Sequence, residues 1–95
     1  MAFNRDAARE RLRDIAAAFD VNVHALSADE AAQAAIVQVA QLCKDVGIPS
    51  RLREVKVTAE MIPTLAQKAM ADGCHLTNPR PCTEQDMMEL YRKAI

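Results

Sequence analysis

Residues 73–91 read GCHLTNPRPCTEQDMMELY, a stretch that joins a helix stop, a rigid proline turn and a new helix start. Gly73 is able to take the left-handed conformation that closes a helix, while Pro79 and Pro81 push Asn78 and Arg80 into extended geometry. The chain is redirected within a few residues. Thr83 then offers its hydroxyl to the free N–H groups of the next helix, with Asp86 three residues on in a capping-box arrangement. Both sides of this connector therefore predict helix.

Working outward, Met87, Leu90, Tyr91 and Ala94 form the face of the helix that follows Thr83. Upstream, Thr58, Met61 and Ile62 begin a helix whose first turn tolerates Pro63, with Leu65, Ala66, Ala69 and Met70 as its buried stripe. Ser27 and Glu30 make a capping box before the longest apolar stripe, Ala32, Ile36, Val39, Cys43 and Val46. Gly47 ends that helix, Ile48 is placed to fold back on its last turn, and Pro49 prevents continuation. Asn4 is the cap expected for a first helix carrying Ala8, Leu12, Ile15 and Phe19 on one face. The signals over 50–57 conflict, because 51–54 reads as a helical turn and 55–57 alternates like an extended segment. The expected fold is all-α, with four main helices near 5–19, 28–46, 59–72 and 84–94, no sheet of consequence, and one helical subdomain over 1–95.

Composition narrows the function. Apolar residues make up 51% of the 95, yet only Phe3, Phe19 and Tyr91 are aromatic, so each buried position contributes little area. A net charge of −1 argues against a nucleic-acid or anionic-membrane partner. No apolar run approaches the roughly 20 residues of a membrane span, and no signal-peptide pattern opens the chain, which predicts a soluble, cytoplasmic protein. Cys43, Cys74 and Cys82 are odd in number and lack a CxxC spacing, which suits a reducing compartment.

Few residues invite chemistry. Arg5, Arg9, Arg11 and Arg13 look like a phosphate stripe, but Asp6, Glu10 and Asp14 are interleaved at pairing distance, so the expected face is solvated and self-compensated. Cys74, His75 and Cys82 match no common zinc spacing, and His24, in another connector, reads as a surface histidine. Asp72, Cys74 and His75 could be read as a nucleophile set, yet neighbours at a helix end usually diverge and no third residue orients the histidine. Asp29, Glu30, Glu84 and Asp86 all fall in first helical turns, where capping explains them. Met61, Met70, Met87 and Met88 read as flexible core filling, and Cys43 as an inert stripe residue.

Taken together, the run Ile62, Pro63, Leu65, Ala66, then Gly73, Cys74, Thr77, Asn78, Pro79, Arg80, then Met88, Glu89, Leu90 and Tyr91 resembles the C-terminal end of the iron-containing alcohol dehydrogenases. The likeness continues upstream through Asp45–Pro49, Leu52, Arg53 and residues 11–15, and covers nearly all of the chain. The resemblance implies an oxidoreductase interconverting small alcohols and aldehydes with NAD(P) and a divalent metal such as iron. In that family the nucleotide is held by an N-terminal α/β domain, and the metal by an aspartate and histidines early in the helical domain. Those segments correspond to sequence upstream of Met1, and Met1–Asn4 itself is similar to an internal stretch of the family. The expectation is a terminal helical piece, inactive alone, whose partner is the missing upstream part and which self-associates through uncovered apolar surface. The alternative is an independent helical interaction module without enzymatic activity. By the same resemblance Cys74 is a wall of the substrate and nicotinamide pocket, with no catalytic, cofactor-binding or metal-binding residue in this chain.

Overall fold

The computed structural model describes residues 1–95, and it is entirely helical. Four α-helices run in order: α1 (Arg9–Ala18), α2 (Ala28–Asp45), α3 (Ile62–Ala71) and α4 (Glu84–Ala94). Short 3₁₀ turns fill the connectors at Ala2–Asn4, Val23–Ala25, Leu52–Val55, Ala59–Met61 and Gly73–Thr77. The chain divides into two compact units, Met1–Gly47 and Ile48–Ile95.

In the first unit α1 packs on α2. Its core consists of Leu12, Ala16, Val23, Ala31, Ala32 and Ala35, with Ala8, Ile15, Val21, Leu26 and Ala34 against it. Four of those six buried residues are alanine, each 0% exposed, so the helices approach closely and the buried area per residue is small. Leu12 is the large side chain that fills the seam. Arg9 Nε ties the two helices at their solvent edge by a 2.9 Å ion pair to Asp29, and Arg13 donates to the Val23 carbonyl at 3.2 Å. Arg5 and Arg9 also pair with Asp6, at 3.5 and 3.4 Å, so the expected self-compensation is present around Asp6.

The helix ends show where sequence signals held and where other residues did the work. Ser27 accepts from the Glu30 N–H at 3.2 Å and the Glu30 carboxylate accepts from the Ser27 N–H at 2.8 Å, completing the expected capping box of α2. Gly47 takes φ +76° just past α2, as expected, and its N–H reaches the Lys44 carbonyl at 3.1 Å. Ile48 does not fold away from solvent; it is 54% exposed. Asn4 is not the cap of α1: it closes a 3₁₀ turn, and α1 starts after Ala8, which has no capping side chain. At the other end of α1, Asp20 adopts φ +60°, with Asp20 N–H on the Ala17 carbonyl (2.9 Å) and Val21 N–H on the Ala16 carbonyl (3.2 Å). That pair of bonds is a Schellman motif built on an aspartate rather than a glycine. Val46, placed on the buried stripe by its spacing, is 64% exposed, because α1 covers only the first half of α2.

In the second unit α3 packs on α4, with Ile62 and Ala66 buried. Pro63 sits in the first turn of α3, where its missing N–H costs no helical hydrogen bond. The ambiguous 50–57 stretch resolves into the 3₁₀ turn Leu52–Val55 followed by Lys56 at φ +66°. Arg51 Nη1 donates to the Lys93 carbonyl at 2.8 Å and so satisfies a carbonyl left over at the C-terminal end of α4.

Candidate functional site

The connector between α3 and α4 is built differently from its sequence signal. Gly73 is not the left-handed stop of α3, since its φ is not positive; Asp72 ends the helix in extended geometry and caps the following 3₁₀ turn instead. The Asp72 carboxylate accepts the Cys74 N–H at 3.0 Å. That N–H therefore does not reach back to Ala69, as a Schellman arrangement would require. The physical reason is competition: a short acidic side chain one residue before the glycine satisfies the orphan donor locally and removes the need for a left-handed residue.

The same geometry decides what Cys74 and His75 are able to do. His75 Nδ1 lies 2.7 Å from the Asp72 carbonyl, so that nitrogen carries the proton and donates it to the backbone rather than serving the thiol as a base. Thr77 Oγ1 donates to the Cys74 carbonyl at 3.1 Å, and the Asn78 N–H to the His75 carbonyl at 3.2 Å, which closes the turn on itself. The hydrogen bond and negative charge of Asp72 push the Cys74 thiol pKa up, while the Cys74 N–H holds the Asp72 carboxyl below its ordinary range. Cys74 is exposed and protonated near neutrality, a polarisable surface residue rather than an activated nucleophile.

Next along the chain, Cys82 is half-buried, and burial raises its thiol pKa. Thr83 and Asp86 form the expected capping box, with Thr83 N–H to Asp86 at 2.9 Å and Asp86 N–H to Thr83 Oγ1 at 3.1 Å. Arg80 lies 3.5 Å from the Asp86 carboxylate and fastens the proline turn to the start of α4. These contacts, the Thr83 backbone foremost, hold the Asp86 carboxyl low.

The other histidine, cysteine and methionine side chains are scattered. His24 is exposed in the turn Val23–Ala25, and Cys43 is half-buried on α2. Met70, Met87 and Met88 are half-buried and Met61 is exposed. A shallow recess of about 370 Å³ lies among Pro49, Ser50, Arg51, Leu52, Val55 and Ala94, a feature without a sequence motif and without Cys74 in its lining.

No three His, Cys, Asp or Glu side chains converge, so these residues do not make up a metal centre. Gly47 closes the C-terminal end of α2 and Gly73 opens a five-residue 3₁₀ turn, so neither glycine forms a phosphate loop at the start of an α-helix. The chain's own residues thus do not assemble a ligand set for the divalent metal that the resemblance implies. No helix is long and apolar enough to cross a membrane.

Comparison with known proteins gives one answer. The profile of the Fe-containing alcohol dehydrogenase family, C-terminal, matches residues 1–95. Lactaldehyde reductase of Escherichia coli (strain K12) is 47% identical over 94 residues, covering 99% of this chain and 25% of the reductase. The NAD-dependent methanol dehydrogenase of Bacillus methanolicus is 40% identical over 94 residues, with 99% and 25% covered. The crystal structure of a 1,3-propanediol oxidoreductase superposes with a TM-score of 0.93 at 35% identity, over 99% of this chain and 25% of that one. The chain spans about a quarter of the length of the relatives it matches.

Proposed function

Since this chain belongs to the Fe-containing alcohol dehydrogenase family, as its C-terminal segment, we propose that it serves as the closing helical part of an NAD(P)-linked oxidoreductase that interconverts small alcohols and aldehydes. The observation that carries this reading is the family match over residues 1–95, with 93 or 94 residues aligned to relatives about four times longer, three of them named for small hydroxylated substrates. In this role the segment supplies neither the metal nor the nucleotide site. Both are held by the part of the polypeptide that lies outside these residues, and that part is its first partner.

Within the segment, Cys74 is the residue assigned to the substrate and nicotinamide pocket, as a wall. Its exposure, its fixed turn and its raised thiol pKa support a passive role, because a protonated thiol packs against a substrate without attacking it.

The test joins this chain to the upstream three-quarters of E. coli lactaldehyde reductase in place of that enzyme's own terminal segment. The chimaera should reduce a small aldehyde with a nicotinamide cofactor, and the 95-residue chain alone should not. A folded chimaera that is inactive, or activity in the lone chain, would overturn the reading. Cys74→Ser should raise KM more than it lowers kcat; an abolished kcat with unchanged KM would assign it to the chemistry instead.

A further inference from the structure

α2 carries one unbroken seam: Ala28, Ala32, Ala35, Val39, Leu42 and Val46 follow one another at alternating four- and three-residue steps. The first half of that seam is alanine, with Ala32 and Ala35 buried in the cluster that α1 shares. The second half changes to larger branched side chains, of which Val39 is half-buried while Leu42, 47% exposed, and Val46, 64% exposed, are left open. Length explains where the cover stops. α1 has 10 residues and α2 has 18, so about 12 Å of α2 extends past its neighbour.

We infer that Val39 and Leu42 on α2, with Val46 just past its end, are the docking site for an apolar helix supplied by the part of the family's polypeptide outside these 95 residues. The inference rests on the function proposed above. Three features argue for that occupant. The four-three spacing matches the ridges of another helix and suits neither a strand nor a flat surface. The step from alanine to valine and leucine sets a wider interaxial distance than the α1 contact, so the second helix is a new neighbour rather than an extension of α1. The two open side chains, Leu42 and Val46, offer far less than the roughly 800 Å² per partner of a standard stable interface. A second copy of the chain is therefore a poor cover. A helix on the same polypeptide is held at high effective concentration and needs no such area, and the relatives have three-quarters of their length available to provide one.

The experiment compares Val46→Cys with Lys44→Cys, an exposed position on the opposite side of α2. Each is placed in the lone chain and in the chimaera with upstream lactaldehyde reductase. N-ethylmaleimide labelling is followed at each site by peptide mass spectrometry. In the lone chain both cysteines should label at similar rates; in the chimaera V46C should slow at least ten-fold while K44C changes little. Unslowed V46C in an active chimaera would overturn the docking site and leave the proposed function standing. Protected V46C in a folded but inactive chimaera would support docking and remove the function. Slow V46C labelling in the lone chain, with or without a dimer mass, would show that this chain covers its own seam and would overturn the inference, as would equal protection of both sites. Should the chimaera not fold, the same two cysteines at the aligned positions of intact lactaldehyde reductase decide the matter by the same rates.

Discussion

The carboxylate of Asp72 accepts the backbone N–H of Cys74 at 3.0 Å, and the same carboxylate pushes the thiol pKa of Cys74 up. Exposure and reactivity are thereby separated at one residue. Asp72→Asn keeps a capping side chain but removes the charge, so the rate of Cys74 alkylation near pH 8 should rise by roughly three-fold or more as the thiolate fraction grows. Cys43, half-buried on α2, serves as the internal standard. An unchanged ratio of Cys74 to Cys43 labelling would remove Asp72 as the cause.

Two non-identical left-handed positions close α1 and α2. Asp20 at φ +60° bears a side chain where glycine is preferred, and Gly47 at φ +76° does not. Asp20→Gly should therefore stabilise the chain by about 0.5–1 kcal/mol, and Gly47→Ala should destabilise it by about 1 kcal/mol, from backbone strain alone. No atom lies within 4 Å of a Cβ built at Gly47, so a clash does not contribute. Gly73→Ala, at a position without positive φ, should be neutral or slightly stabilising through the unfolded chain. Urea midpoints of the three variants, read with their m-values, check the order.

Capping carboxylates, Glu30, Asp72 and Asp86 among them, give the chain an acid limb. The Ser27 N–H holds Glu30 below its ordinary value of 4.5, and the Thr83 N–H holds Asp86 below 3.8. A folded-state pKa below the unfolded one means that the contribution is complete above the ordinary value and is lost as pH falls through the lowered one. Thermal midpoints should thus be flat from neutrality to about pH 5 and fall below it. The double variant Glu30→Gln, Asp86→Asn should fall less steeply over the same window; a parallel curve would assign the acid limb to other groups.

The alanine seam of the first unit has little room to adjust. Leu12→Ala removes its only large buried side chain, for a cost of about 3 kcal/mol, and Ala35→Leu overpacks a residue that is 0% exposed, for about 1–3 kcal/mol. Both should lower the helical melting midpoint measured by circular dichroism, whereas Val37→Ala, at an exposed position on α2, should change it by less than about 0.5 kcal/mol.

α2 and α4 were legible because their caps and stops have partners within four residues, Ser27 with Glu30, Thr83 with Asp86 and Gly47 with Lys44, whereas α1 and α3 were legible from their apolar spacing. What escaped the sequence depends on competition or distance. Gly73 carries the strongest local stop signal, yet Asp72 satisfies the donor first, and Asp20 performs the glycine role without being one. Val46 belongs to its stripe by spacing, but spacing does not report how long the neighbouring helix is. The family resemblance was legible only through the combined residues from Ile62 to Tyr91, because Cys74 and His75, read alone, suggest a dyad that the Asp72 carbonyl disperses. Nothing local announces the Arg51 bond to Lys93, which spans 42 positions.

That bond has a kinetic meaning. The last turn of a helix frays fastest, since its final carbonyls lack partners. Arg51 holds one of those carbonyls from a site 42 residues away, so amide exchange across the last turn of α4 reports on the turn that carries Arg51 as much as on α4 itself. Trimming the chain before Lys93 would release Arg51 and set the Leu52–Val55 turn moving, and a proteolytic nick at either end would be felt at the other. The last turn of α4 acts as a latch on the turn Leu52–Val55.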